Sequence, residues 1–157
     1  MKIVICCVGR TDVSHVQESI DIYTDRLKHY LPVELTIIPE QKLWKKLSPD
    51  ARKKAEGDAI LSQLLPGDRS VLLDEKGKQY TSEDFAEYLQ KEMGTGAKRL
   101  VFIIGGAFGF STEVYAEVPA KISLSKMTFS HQMIRTLLLE QVYRGMTILK
   151  NEPYHNR

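Results

Sequence analysis

No apolar run in this chain approaches the roughly 20 residues needed to cross a bilayer; the longest, Lys2 to Val8 and residues 100–104, have the length of strands. The amino terminus carries no basic region leading into an apolar signal core, so the expectation is a cytoplasmic protein with no membrane-bound part. Cysteine is scarce. Cys6 and Cys7 are neighbours in a strand-like segment, where successive side chains point to opposite faces. They are therefore not expected to bridge each other and read as buried, inert thiols. A Walker loop of the form G-x-x-x-x-G-K-[ST] is missing, no metal site is expected, and there is no linker, repeat or composition break. A chain of 157 residues, 43% hydrophobic and 27% charged, reads as one domain spanning residues 1–157, large enough to bury roughly two thirds of its unfolded surface.

Charge of one sign is also lacking, since a net +2 does not announce nucleic acid. Its distribution says more. Lys42, Lys45, Lys46, Arg52, Lys53 and Lys54 crowd one segment against Asp50 alone, with Trp44 among them. A solvated loop and helix face is the plainer explanation; the sharper one is a phosphate-contacting patch with Trp44 stacking on a base.

Apolar runs alternate with helical periodicity along the whole chain, which predicts an α/β fold with a parallel sheet. Strands are expected over 2–8, 33–38, 70–73, 99–104 and 121–125. The run 99–104 is apolar at every position after Arg99, as in a strand buried on both faces, and must be central. Helices are expected over about 13–30, with Val16, Ile20, Tyr23 and Leu27 inward, and from Pro49, capped by Ser48, to about Leu65. Lys76-Gly77 is expected to turn the chain. Thr81 or Ser82 caps a helix to about Glu92 that buries Phe85, Tyr88 and Leu89, and a short helix runs from Ser111 or Thr112 to Val118. The last helix, about Ser130 to Lys150, spreads apolar residues around more than one face, which predicts cover by the sheet and by a second subunit.

Gly105-Gly106-Ala107-Phe108-Gly109 ends the central strand and lets backbone approach a ligand at the carboxyl edge of the sheet. A dinucleotide fold needs G-x-G-x-x-G after an early strand, which this is not; a tight structural turn explains the loop equally well. Two other features concentrate near the end: the polar and aromatic segment 124–131 before the last helix, and Asn151-Glu152-Pro153-Tyr154-His155 after it. Tails are usually featureless.

Gly105-Gly106-x-x-Gly109, Leu124-Ser125-Lys126-Met127-Thr128-Phe129, His131-Gln132-Met133-x-Arg135, Glu140-Gln141-x-Tyr143-Arg144 and Pro153-Tyr154-His155 occur in that order. The chain thereby resembles, along its whole length, the ribosomal RNA large subunit methyltransferase H family of the SPOUT class. Ala107-Phe108 between the glycines, and Ser130 where many members have proline, depart from the family pattern. The resemblance implies an α/β parallel-sheet fold with a C-terminal trefoil knot and S-adenosylmethionine as cofactor. It also implies a homodimer that methylates N3 of pseudouridine 1915 in 23S rRNA of the assembled ribosome. The cofactor residues it implies are Leu73, Gly105, Leu124, Ser125, Lys126, Met127, Thr128 and Phe129.

Removal of the imide proton from N3 needs a base. His155 is the candidate, because an imidazole titrates near neutral pH; Tyr154 would orient the uracil ring, and Arg144 and Arg135 would hold phosphate or offset charge on the base carbonyls. The plainer readings are a tail histidine exposed to solvent and an Arg144 that merely pairs with Glu140 at i, i+4. His131 reads as a capping or packing residue at least as readily as a catalytic one, and His15 and His29 are expected to lie on the surface or pack. The tail is expected to reach across the dimer and complete the partner's pocket. Rival functions are a SPOUT enzyme acting on tRNA or on ribose, and a ribosome-associated factor without turnover.

Overall fold

The computed structural model describes residues 1–156. Five strands form one all-parallel sheet: β1 (Lys2–Val8), β2 (Val33–Ile38), β3 (Arg69–Gln79), β4 (Arg99–Ile104) and β5 (Lys121–Ser123). Their order across the sheet is β2-β1-β4-β3-β5, with β4 in the middle.

Side-chain alternation sorts the strands onto two cores. Ile3, Ile5, Cys7, Leu100, Phe102 and Ile104 face one side, where they pack with α1 (Ser14–Leu27), α3 (Ser82–Met93) and α5 (Met133–Leu149). Val4, Cys6, Val8, Val101 and Ile103 face the other, against α2 (Pro49–Leu61), α4 (Thr112–Glu117) and Trp44. With both faces covered, β1 and β4 can be apolar at every parity, which is why the sequence marked them sharply. The two cysteines lie in opposite cores and are free. Burial pushes the Cys7 thiol up to about 11 and the Cys6 thiol to about 12, so both stay protonated and unreactive.

Caps fix the helix starts. The Ser48, Thr81 and Ser111 hydroxyls accept the amides of Ala51, Asp84 and Val114. The last helix starts three residues later than its periodicity suggested. Ser130 instead closes a turn, its hydroxyl accepting the Met133 amide at 3.1 Å. At the other end Asn151 adopts φ 55°, while the amides of Asn151 and Glu152 bond the carbonyls of Ile148 and Thr147. That pairing is a Schellman stop, with asparagine in the left-handed position usually held by glycine.

Two expectations need correction. The chain does not leave the sheet at Lys76-Gly77: β3 runs on to Gln79, and both Leu73 and Lys78 stand opposite Ile122, so residues 74–77 bulge out of the ladder. Gly77 makes this possible, since a Cβ there would lie 2.6 Å from the Ile122 backbone. β5 ends at Ser123 rather than Ser125. Within the chain α5 packs on α1 and α3, while Leu137 and Ile148 on it stay partly exposed; Gly145 lets α5 close on α3, where a Cβ would be 2.8 Å from Leu89.

Candidate active site

A cavity of about 650 Å³ opens at the carboxyl edge of the sheet, where three loops meet. The first is the β3 bulge, contributing Asp74, Glu75 and Lys76 after Leu73. The second follows β4, and the third runs from β5 to α5. The glycine segment is a tight turn closed by the Gly109 amide on the Gly106 carbonyl at 3.1 Å; Gly109 has φ 81°, a conformation that favours glycine. Phe110 packs under Gly105, leaving a Cβ there only 3.1 Å from its ring. In the third loop the Ser125 hydroxyl accepts the Met127 amide at 2.9 Å and its carbonyl accepts the Ser123 hydroxyl at 2.8 Å, so two local bonds set the bend.

Of the residues expected to bind cofactor, Leu73, Gly105, Leu124, Ser125, Met127, Thr128 and Phe129 line this cavity. Lys126 points outward and is not among the lining residues. His131 lines the wall instead of merely capping. The sequence reading did not place at the cavity Lys53 from α2, Asp74 and Glu75 from the β3 bulge, or Tyr115 from α4. Tyr115 donates to Asp74 at 2.5 Å, and burial, then that carboxylate, push its phenol up to about 12, so it remains a donor at neutral pH.

The four expected catalytic residues do not share one place. Arg135 is fully buried and spends its guanidinium on neutral oxygens: His131 carbonyl at 3.0 Å, Thr11 hydroxyl at 2.9 Å and Val8 carbonyl at 2.9 Å. It cannot meet a phosphate or a base carbonyl from there, and it fastens the start of α5 to the end of β1. The other three form a cluster at the far end of α5. Arg144 bonds Glu140 through Nε at 3.1 Å and Nη2 at 2.5 Å, lies 4.8 Å over the Tyr154 ring and reaches His155 Nδ1 at 3.3 Å. Glu140 holds the arginine firmly protonated. Tyr154 bonds Glu140 at 3.2 Å and Tyr23 at 3.4 Å. Burial, then those neighbours, push its phenol well above the usual range, which removes it as a base.

His155 is held on both nitrogens, with Nε2 3.1 Å from Glu83. Arg144 can only donate, so Nδ1 accepts, and the proton sits on Nε2 facing the carboxylate. Nothing from residues 140–156 lines the cavity of the same chain. Trp44 is also placed differently from the sharper expectation: it is buried against α2 and the sheet, where it cannot stack on a base. Among the described residues no cluster of three His, Cys, Asp or Glu side chains is placed to hold a metal, and no helix is long and apolar enough to cross a membrane.

A family profile described as "Predicted SPOUT methyltransferase" matches residues 1–155. The chain belongs to the SPOUT methyltransferase family. Proteins named "Ribosomal RNA large subunit methyltransferase H" share its full length. The one from Christiangramia forsetii is 55% identical over 157 residues, covering 100% of both chains; that from Parabacteroides distasonis is 55% identical over 156 residues, covering 99% of each. A solved structure titled "The structure of a probable methylase family protein from Haemophilus influenzae Rd KW20" superposes with a TM-score of 0.53 over 99% of this chain and 70% of its own, at 11% identity. That last likeness concerns the fold alone. SPOUT methyltransferases use S-adenosylmethionine, and in this one the three strand-end loops converge on the cavity just described.

Proposed function

We propose that this protein binds S-adenosylmethionine in the strand-edge cavity and, as a cytoplasmic homodimer, methylates N3 of a pseudouridine in 23S rRNA of the assembled ribosome. One observation carries the reading: residues Leu73, Gly105 and 124–129 share a cavity in a chain whose full-length relatives are named for rRNA methylation. The cavity fits the cofactor. Its volume is within the roughly 300–1,000 Å³ of small-molecule sites. Ile104, Leu124 and Phe129 offer apolar walls to an adenine, Gly105 lets backbone approach, and the carboxylates of Asp74 and Glu75 suit ribose hydroxyls and positive charge. When bound, the cofactor supplies an electrophilic methyl on a sulfonium, which leaves as a thioether.

The chain's own groups must position the base and take its proton. His155 is the proton acceptor in this reading, through Nδ1, once Arg144 turns from it toward RNA phosphate or a base carbonyl. Since the tail and the cavity of one chain are separate, the tail of a partner brings His155 and Tyr154 to the cavity. Met127, Phe129 and Met133 lie 75%, 42% and 41% exposed beside the opening, apolar surface suited to a partner. The C-terminal trefoil knot belongs to the same reading. From the sheet edge at β5 the chain crosses the strand ends to β1, where Gln132 accepts the amides of Asp12 and Val13 at 3.0 and 3.3 Å. Lys42, Lys45 and Lys46 are exposed, and none has an ion pair among the described residues, which suits phosphate contact; Arg52, Lys53 and Lys54 are paired with carboxylates.

Labelled methyl transfer to ribosomes lacking the modification, with the product nucleotide mapped, tests the reading. Product on N3 of one pseudouridine is expected; product on free tRNA or on ribose, or none on ribosomes, would overturn it.

A further inference from the structure

Glu56 stands on α2, outside every motif that drew attention in the sequence, and is 1% exposed. Its Oε1 accepts Arg52 Nε at 2.7 Å. Its Oε2 is buried and has no hydrogen-bond partner. That free oxygen points at the glycine turn: a Cβ on Gly106 would lie 2.3 Å from it, so only a glycine fits over the carboxylate. The neighbouring side chains repeat the contact. Gly57 seats against Ser111, where a Cβ would be 2.5 Å from its hydroxyl, and the Arg52 guanidinium lies 5.5 Å over the ring of Phe108 at the tip of the turn. Arg52 is itself steadied by Glu40 at 3.4 Å. Thus one face of α2 is the bed on which the cavity's glycine turn rests, and its one unsatisfied polar atom faces that turn.

A carboxylate oxygen buried without a donor is costly. The segment that Oε2 faces is backbone, whose amides are hydrogen-bond donors. We propose that Glu56 is the positioning residue of the cofactor site: its Oε2 takes a backbone amide of the Gly106-Ala107 segment when the cavity is filled, locking the turn in its binding conformation, with Arg52 aiming the carboxylate. The inference rests on the cavity being the S-adenosylmethionine site.

Titration calorimetry of the intact protein with S-adenosylmethionine and S-adenosylhomocysteine, alongside steady-state kinetics on ribosomes, tests it. Glu56→Gln keeps the shape and the Arg52 bond but presents an amide NH2 to the turn. Its cofactor Kd and KM should rise about tenfold or more, the cost of one buried unmatched polar group, while KM for ribosomes stays put. Glu56→Asp, which retains the charge but withdraws it from the turn, should fall between wild type and Gln and serves if the Gln variant does not fold. If the wild type binds the cofactor and both variants bind it equally well, Glu56 is only a structural carboxylate and the proposal is lost, whatever their melting temperatures. If the wild type binds neither ligand, the reading of the cavity fails and takes this proposal with it.

Discussion

The two ends of α5 are built in opposite ways. At its start, the cavity is formed by short loops whose bonds are local, such as Ser125 on its own turn, and whose apolar side chains remain exposed. At its finish, six residues from α1, α3, α5 and the tail interlock: Tyr154 and His155 with Glu83, Glu140, Arg144 and Tyr23. The first region resembles a site awaiting a ligand. The second is a side-chain network already fully bonded, and such networks hold a group in one orientation. The contrast teaches why the proposed mechanism calls on a second chain: no residue from 140–156 lines the cavity of its own protomer.

The sharpest break of this comparison is at the tail. His155→Ala should lower turnover on ribosomes by about 10²- to 10⁴-fold, the usual worth of a general base, while cofactor affinity measured by calorimetry is unchanged. Mixing it with a cavity-dead variant such as Gly105→Val should restore part of the activity, since one of the two sites in a mixed dimer would draw an intact tail and an intact cavity from different chains. Turnover within twofold of wild type for His155→Ala would remove the base assignment.

Next in size is the anchor that fastens the start of α5 to β1. Arg135→Met strips the donors from the carbonyls of Val8 and His131 and from Thr11, and should cost about 2–4 kcal/mol of stability by denaturant unfolding. Kinetic effects should follow stability, not transition-state binding. A variant of wild-type stability with lost turnover would return Arg135 to the chemistry.

What the sequence could and could not reveal follows the same division. β1 and β4 stood at their observed bounds because a doubly buried parallel strand is apolar along nearly its whole length, β2 did so as a short β-branched run at the sheet edge, and the strand-end glycines marked the cavity edge. The β3 extension was illegible: residues 74–79 are mostly charged or polar and are strand only because β5 pairs across a bulge, a contact that depends on Gly77 and Ile122 meeting. Glu56 was invisible for a similar reason, as its neighbour Gly106 is 50 residues away. The mid-helix Gly57, unfavourable by about 1 kcal/mol relative to alanine, was the one local hint of a close approach. Tyr154 and His155 carried a family motif, but their partners Glu83 and Tyr23 come from other helices that no spacing connects to the tail.

The basic turn lies outside both ends of α5 and offers a contrast to them. Replacing Lys42, Lys45 and Lys46 together by Glu should weaken ribosome binding about tenfold or more and flatten the salt dependence by about two to three phosphate contacts. Cofactor affinity and stability should be unaffected. An unchanged salt slope would leave these lysines as a solvated face.

The smallest effect asked for is at the outer edge of the tail network. Tyr30 donates its hydroxyl to Glu152, and that carboxylate pushes the phenol well above its usual range, so the hydroxyl stays a donor throughout the working pH range. Tyr30→Phe leaves the ring against Tyr143, 5.9 Å away, and removes only the bond, worth about 0.5–1.5 kcal/mol. Because that bond pins the residue next to Pro153, its loss should free the tail locally: amide exchange at residues 152 and 154–156 should quicken while β1 and β4 keep their protection. If the tail acts on a partner's cavity, kcat should drop about two- to tenfold, in line with that energy, with KM for the cofactor unchanged. A quickened tail with kcat intact would show that the network stabilises the terminus without orienting His155 for transfer, and the difference between the two ends of α5 would then be one of stability alone.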